Sequence, residues 1–208
     1  PHLTALDQGV MTLVQEHRGP TLDEIAVTFT LIGEFRNMLL FSALLTGLLL
    51  LCRQWRQALF AGGTLLCTAL ANTATKNFFA RVRPEVLTDP LTTYSMPSGH
   101  ASGAFALFLT LGVLAGRGQP PRMRLTWLLL ACLPALSIAL SRVYLGAHWP
   151  TDVLAGAMLA ACVCAASLWL NQRQTPLNAM PFKVWWLILP ALLALFSFFA
   201  LRHLPPAM

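Results

Sequence analysis

Charge is scarce in this 208-residue chain: Asp, Glu, Lys and Arg make up 11% of it, against 56% hydrophobic residues and a mean hydropathy of +0.63. A soluble domain carries about 25% charged residues, so a single water-soluble domain is excluded. Acids are scarcer still, eight against fourteen Lys and Arg. The basic excess does not point to nucleic acid, because the cations stand singly or in small groups between apolar stretches. The five cysteines, Cys52, Cys67, Cys132, Cys162 and Cys164, lack metal-ligand spacing and a neighbouring His, and read as small core residues. Repeats and low-complexity tracts are absent. The apolar stretches recur along the whole chain, which a secretory signal does not explain.

What is present is a set of spans. Six stretches approach the roughly 20 residues that cross a hydrocarbon core, about 17 being still sufficient. They are 37–52, 57–75, one within 98–116, 125–141, 153–172 and 184–201. This predicts an all-α polytopic membrane protein, a six-transmembrane-helix bundle. The first 36 residues hold five acids and alternate apolar residues with Thr from Ile25 onward, which reads as interfacial helices outside the bilayer. The expected organisation is an N-terminal interfacial segment (1–36), a six-span domain (37–201) and a tail (202–208). The chain begins at Pro1 on the side read as external with no span before it, so a fragment of a longer chain is expected, with another membrane domain upstream. Removal of an initiator Met before Pro explains the first residue equally well.

With six spans the connectors alternate sides. One face receives Arg53, Arg56, Arg117, Arg122, Arg124, Arg173 and Lys183, seven cations and no acid. The other receives all eight acids and the remaining seven cations, three of which the chemistry below accounts for. Seven against four places the Arg-rich face in the cytoplasm. The long connector, 76–97, is then external: Thr88 is expected outside and Gln119 inside.

Three clusters on the outer face break the apolar pattern. Lys76 and Arg81-Val82-Arg83-Pro84 end the second span, and taken alone read first as a cationic anchor that snorkels to head groups. Pro97-Ser98-Gly99-His100 precedes an apolar helix, either as a plain cap or as a helix start whose N–H groups hold an anion. The third cluster runs from Ser141-Arg142 to His148-Trp149-Pro150-Thr151-Asp152; Pro150 suits a first helical position, which puts Asp152 in the first turn, within reach of His148. Together, Lys76, Arg83, His100, Arg142, His148 and Asp152 gather at span ends on one side of the membrane. Ionisable groups there are costly, and an excess of cations suits an anion. Three cations and helix amides match a phosphoryl group at its transition state. A His beside a carboxylate can attack, and a second His can protonate the leaving oxygen. The pattern predicts phosphoryl transfer through a histidine. Arg81, between the two cations of the first cluster, reads as a surface residue.

The same three clusters resemble the signature of the type 2 phosphatidic acid phosphatase (PAP2) family: Lys, six residues, Arg-Pro; Pro-Ser-Gly-His; Ser-Arg, five residues, His, three residues, Asp. Here these are Lys76 with Arg83-Pro84, Pro97 to His100, and Ser141-Arg142 with His148 and Asp152, every spacing intact. The resemblance implies a phosphohistidine on His148, His100 as acid to the leaving group and Asp152 supporting His148. It implies that Lys76, Arg83, Arg142, Ser98 and Gly99 surround the phosphate, with no metal and no cofactor. The soluble vanadium haloperoxidases of the family are excluded by the hydrophobic content. The implied activity is hydrolysis of a lipid phosphomonoester or pyrophosphate, such as undecaprenyl pyrophosphate, phosphatidylglycerol phosphate, phosphatidic acid or lipid A phosphates. The expected partners are that lipid and the bilayer, not nucleic acid. The expected setting is a bacterial inner membrane with the site facing the periplasm or exterior. A lipid phosphotransferase and a phosphate-binding transporter are the alternatives; the repeats and broken midplane helices of a transporter are not visible.

Overall fold

The computed structural model describes residues 2–84 and 93–202; Thr88 and the far end of the tail lie outside the described residues. Among these, all regular structure is helical: α1 (His2–Glu16), α2 (Pro20–Ile32), α3 (Phe35–Leu51), α4 (Trp55–Phe79), α5 (Gly99–Gly116), α6 (Pro121–Tyr144), α7 (Pro150–Asn171) and α8 (Phe182–Leu201). Prolines begin α2, α6 and α7, where the missing N–H has no intrahelical partner to lose.

Helices α4 to α8 are each long and apolar enough to cross a membrane, and α3 passes the same test when taken with α2. The first span is therefore not a lone straight helix. α2 and α3 meet at 52° across the break at Gly33 and Glu34. A Cβ on Gly33 would run into Ile138 Cγ2 and lie 3.3 Å from His100 Cδ2, so the break is pressed against α6 and the start of α5.

The distribution of side chains is that of a bilayer protein. Outward faces carry large apolar residues, among them Leu59, Leu66 and Leu70 on α4 and Leu154 and Met158 on α7. The interior is built from small ones: Ala101, Ala104, Ala135, Ala139 and Ala160 are all fully buried. Without a hydrophobic drive between helices in lipid, close backbone approach supplies the packing, and small residues permit it. α5 is the centre, packed by α3, α4, α6 and α7. On α4 the buried face is polar: Thr64 and Thr68 return their hydroxyls to the carbonyls of Phe60 (2.8 Å) and Thr64 (2.7 Å), which satisfies them without a partner helix. The cysteines depart from the core reading. Cys164 alone is buried, Cys52 and Cys132 are half-buried, and Cys67 and Cys162 are exposed on the apolar surface. A small apolar residue suits lipid as well as it suits the interior, so hydropathy carries no information about which way it faces.

Gly156 on α7 sets the position of the site. A Cβ there would stand 2.7 Å from the Ser98 carbonyl oxygen, 3.1 Å from the Ser102 nitrogen and 3.2 Å from Ala101 Cβ. Backbone atoms cannot swing aside, so Gly156→Ala is expected to destabilise the bundle by about 1–3 kcal/mol, the usual range for overpacking. A lower melting temperature in detergent, with activity lost because the start of α5 must move, is the expected outcome. An unchanged melting temperature would show that the two helices have more room than the structure gives them.

Candidate active site

The loop from Leu145 to Trp149 holds His148. Gly146 has a φ of +72°, the left-handed conformation that favours glycine, and turns the chain out of α6. The Arg142 carbonyl then accepts from both the Ala147 N–H (3.0 Å) and the His148 N–H (3.2 Å). His148 is buried, at 1% exposure. α7 begins immediately afterwards, and Asp152 in its first turn accepts the Trp149 backbone N–H on Oδ2 (2.9 Å), closing the helix start. The Asp152 carbonyl accepts the Ser98 N–H (3.0 Å), which ties α7 to the start of α5.

The environment of His148 determines its tautomer. Arg83 Nη1 lies 3.1 Å from Nε2. A guanidinium can only donate, so Nε2 is the acceptor and the proton resides on Nδ1. That nitrogen faces the Asp152 carboxylate, with Oδ2 at 3.6 Å, just beyond hydrogen-bond distance. The lone pair of Nε2 therefore points toward the cations and the carboxylate lies behind the ring, the arrangement a nucleophilic imidazole requires. Burial pushes the His148 pKa down to about 4, with Arg83 and Arg142 acting in the same direction and Asp152 opposing them. The ring is neutral, and so able to attack, throughout the neutral and mildly acidic range.

The cations converge from three elements. Arg83 Nε donates to the Thr93 carbonyl (2.7 Å) and Nη1 to the Ala147 carbonyl (2.7 Å), so its fork is aimed across the His148 loop. Lys76 at the end of α4 donates to the Tyr94 carbonyl (2.7 Å). Arg142 is 8% exposed and donates to Thr30 Oγ1 of α2 (2.9 Å), while its Nε has no partner among the described residues. A buried guanidinium N–H left over in this way is a donor suited to an anion. Ser98 caps α5, its hydroxyl accepting the Ala101 N–H at 3.4 Å. Gly99 and His100 then begin the helix, where N–H groups have no carbonyl one turn back. His100 lies within electrostatic reach of Arg142, His148, Arg83 and Lys76. All eight residues expected from the sequence thus belong to one end of the bundle.

Two residues outside the expected set join them. Arg81 is not a surface residue: its side chain is 26% exposed and forms ion pairs with Asp152 Oδ1 (2.7 Å) and Asp7 Oδ2 (2.6 Å). Asp7, on α1, is fully buried. Neither pairing has a local sign, since residues 7, 81 and 152 are far apart in the chain; the hint that existed was a lone acid on the helix face shared with Met11 and Gln15, both of which turn toward the bundle.

The chain is 39% identical over 95 residues to an undecaprenyl-diphosphatase of Sulfolobus acidocaldarius, a match covering 43% of this chain and 40% of that protein. It is 35% identical over 127 residues to the decaprenylphosphoryl-5-phosphoribose phosphatase of Mycobacterium tuberculosis, covering 58% of this chain and 65% of that one. The match thus spans less than two thirds of either relative. The fold is like that of a transmembrane PAP2 type phosphatidylglycerolphosphate phosphatase from Bacillus subtilis, with a TM-score of 0.72 over 84% of this chain and 88% of the other at 23% identity, a likeness of fold alone. Residues 57–176, more than half of the chain and containing all three clusters, match the PAP2 superfamily, and the chain belongs to that family.

Proposed function

We propose that the chain is an integral membrane lipid phosphatase that hydrolyses a phosphomonoester or pyrophosphate of a membrane lipid through a phosphohistidine on His148. The observation that carries this reading is the buried His148, with its Nε2 lone pair toward Arg83 and Asp152 behind Nδ1. Nε2 attacks phosphorus while the bond to the lipid oxygen breaks. His100 supplies the proton to that oxygen, then takes one from the water that attacks the phosphohistidine, and phosphate leaves as His148 is restored. Lys76, Arg83, Arg142 and the amides of Gly99 and His100 hold the equatorial oxygens, with Ser98 fixing the helix start. Undecaprenyl pyrophosphate and phosphatidylglycerol phosphate are the first substrates to try, given what the relatives' names state. The native setting is the bacterial inner membrane with the site on the periplasmic side, since the end holding Arg53, Arg56, Arg117, Arg122, Arg124, Arg173 and Lys183 is the cytoplasmic one.

The test is phosphate release by purified protein from undecaprenyl pyrophosphate, phosphatidylglycerol phosphate and phosphatidic acid, with vanadate and EDTA as parallel additions. Hydrolysis, inhibition by vanadate and persistence in EDTA are expected, because three cations and helix amides supply the charge at the transferring group. Label passing to a second lipid in place of water would make the chain a phosphotransferase. For the side of the membrane, cysteines are placed at Thr88 and Gln119 in a chain whose own five are replaced by alanine. An impermeant maleimide added to intact cells is expected to label the first and not the second; the reverse would move the site to the cytoplasm.

A further inference from the structure

The N-terminal helix reaches the catalytic carboxylate through a single arginine. Asp7 on α1 accepts the Thr151 backbone N–H on Oδ1 (3.0 Å), and the Thr151 hydroxyl (2.6 Å) and Arg81 Nη2 (2.6 Å) on Oδ2. Arg81 Nη1 donates to Thr151 Oγ1 and to Asp152 Oδ1, both at 2.7 Å. The guanidinium also lies over the Trp149 ring, 5.6 Å from its centroid. The two residues bracketing Pro150 at the start of α7, and the carboxylate two positions on, are thus all held by one cation whose other arm ends on α1. The Asp7, Met11 and Gln15 face of α1 turns to the bundle, with Gln15 donating to the Tyr144 carbonyl (3.0 Å) at the end of α6. Leu6, Val10 and Leu13 are left exposed on the opposite face.

Asp152 Oδ2 is already engaged by the Trp149 N–H. With Arg81 on Oδ1 the carboxylate is fixed at both oxygens, and its 3.6 Å separation from His148 Nδ1 is set by these partners rather than by the imidazole. We infer that Arg81 is a positioning residue for Asp152, and that Asp7 makes α1 the second support of the clamp, so that docking of the N-terminal helix is part of the geometry in which His148 attacks. The inference rests on the phosphatase reading above. It also redraws the organisation expected from the sequence, since the segment 1–36 then belongs to the catalytic unit together with Thr30, which holds Arg142.

The charges around this pair come from every neighbouring element. His148 is faced by Arg83 from the connector after α4, by His100 from α5, by Arg142 from α6 and by Asp152 from α7. Lys76 of α4 acts on Asp152, and Glu34 before α3 acts on Arg142. Removing the Arg81 cation leaves the Asp152 charge compensated by fewer partners and free to turn toward His148. Protonation of the ring then becomes easier. Removing the Asp7 charge has the opposite sign, because Arg81 then spends its whole charge on Asp152.

The experiment compares wild type, Arg81→Gln, Arg81→Lys and Asp7→Asn in one detergent. Arg81→Gln is expected to lower kcat by about 10- to 100-fold, the scale of a misplaced catalytic group, with KM held within about twofold. Arg81→Lys, which reaches one carboxylate but not both, should recover part of the loss. Asp7→Asn keeps its acceptor oxygen and should lose less. Histidine-selective ¹⁵N NMR follows the His148 titration directly, whether or not a substrate is turned over. Arg81→Gln should raise it by about one unit, as expected when a nearby carboxylate loses its countercharge, and Asp7→Asn should not raise it. A wild type that releases no phosphate would defeat the phosphatase reading, while the titration would still decide the clamp. A lower melting temperature with unchanged kcat and unchanged His148 titration would reduce Arg81 to a structural strut and overturn the inference. A raised KM and weaker vanadate inhibition at unchanged kcat would make Arg81 a phosphate ligand and overturn it equally.

Discussion

His148→Ala is expected to abolish lipid phosphate hydrolysis. In the proposed mechanism this buried side chain supplies the lone pair that attacks phosphorus, and the cations around it, Lys76, Arg83 and Arg142, cannot replace a nucleophile. Rapid quench with radiolabelled substrate should show acid-labile label on the wild-type protein and none on the variant. Asp152→Asn should keep the fold, because its backbone contacts with Ser98 and Trp149 need no charge, and lower the rate by about 10²-fold or more, as for other carboxylates that orient a catalytic imidazole. The pH profile follows from the same site. Attack needs neutral imidazole, and burial together with Arg83 and Arg142 pushes the His148 pKa down to about 4. The acid limb of kcat/KM assigned to His148 is therefore expected near pH 4 rather than at the 6.5 of an ordinary histidine, with activity falling as pH drops through it. Normal turnover in His148→Ala would make the assignment untenable, and a limb near 6.5 would mean that the ring is hydrated during turnover.

His100→Ala should damage two classes of substrate unequally. Attack on the terminal phosphate of a pyrophosphate expels a phosphate monoester, already a stable anion, whereas attack on a lipid monophosphate expels an alkoxide that must be protonated as its bond breaks. The expected loss is about 10²- to 10⁴-fold for monophosphate lipids, the span of a positioned general acid, and clearly less for undecaprenyl pyrophosphate. His100 stands second in α5, beside Gly99 and against the break at Gly33, within electrostatic reach of His148. The measurement is kcat/KM for wild type and variant on both substrates in the same detergent. Equal losses would mean that His100 orients phosphate, and its role as leaving-group acid would be withdrawn.

The spans were legible because a helix that must cross lipid carries a long, predominantly apolar stretch, and that property survives without knowledge of its neighbours. The six stretches correspond to α3 through α8. The faces of those helices were not legible for the same reason: Cys67 and Cys164 are equally apolar, yet one is exposed and the other buried. The break between α2 and α3 was also hidden, since Gly33 takes an ordinary backbone conformation and is required by the closeness of Ile138 and His100, which lie far along the chain.

The proposed chemistry was legible in local spacing, because a phosphoryl site needs particular groups at particular separations along helix starts and ends. Lys76, Arg83, Ser98, Gly99, His100, Arg142, His148 and Asp152 carry that pattern in local spacing. Tertiary structure alone decided how the groups are held. Arg81 reads as one more interfacial cation until Asp152 and Asp7 are found on its two arms, and Asp7 reads as one more acid of a polar segment until α1 is seen to bury it. An ion pair between residues distant in sequence leaves no periodicity or motif in either stretch. Its existence depends on which helices meet, and in a bundle of largely apolar helices that is settled by small-residue contacts such as Gly156 against Ser98.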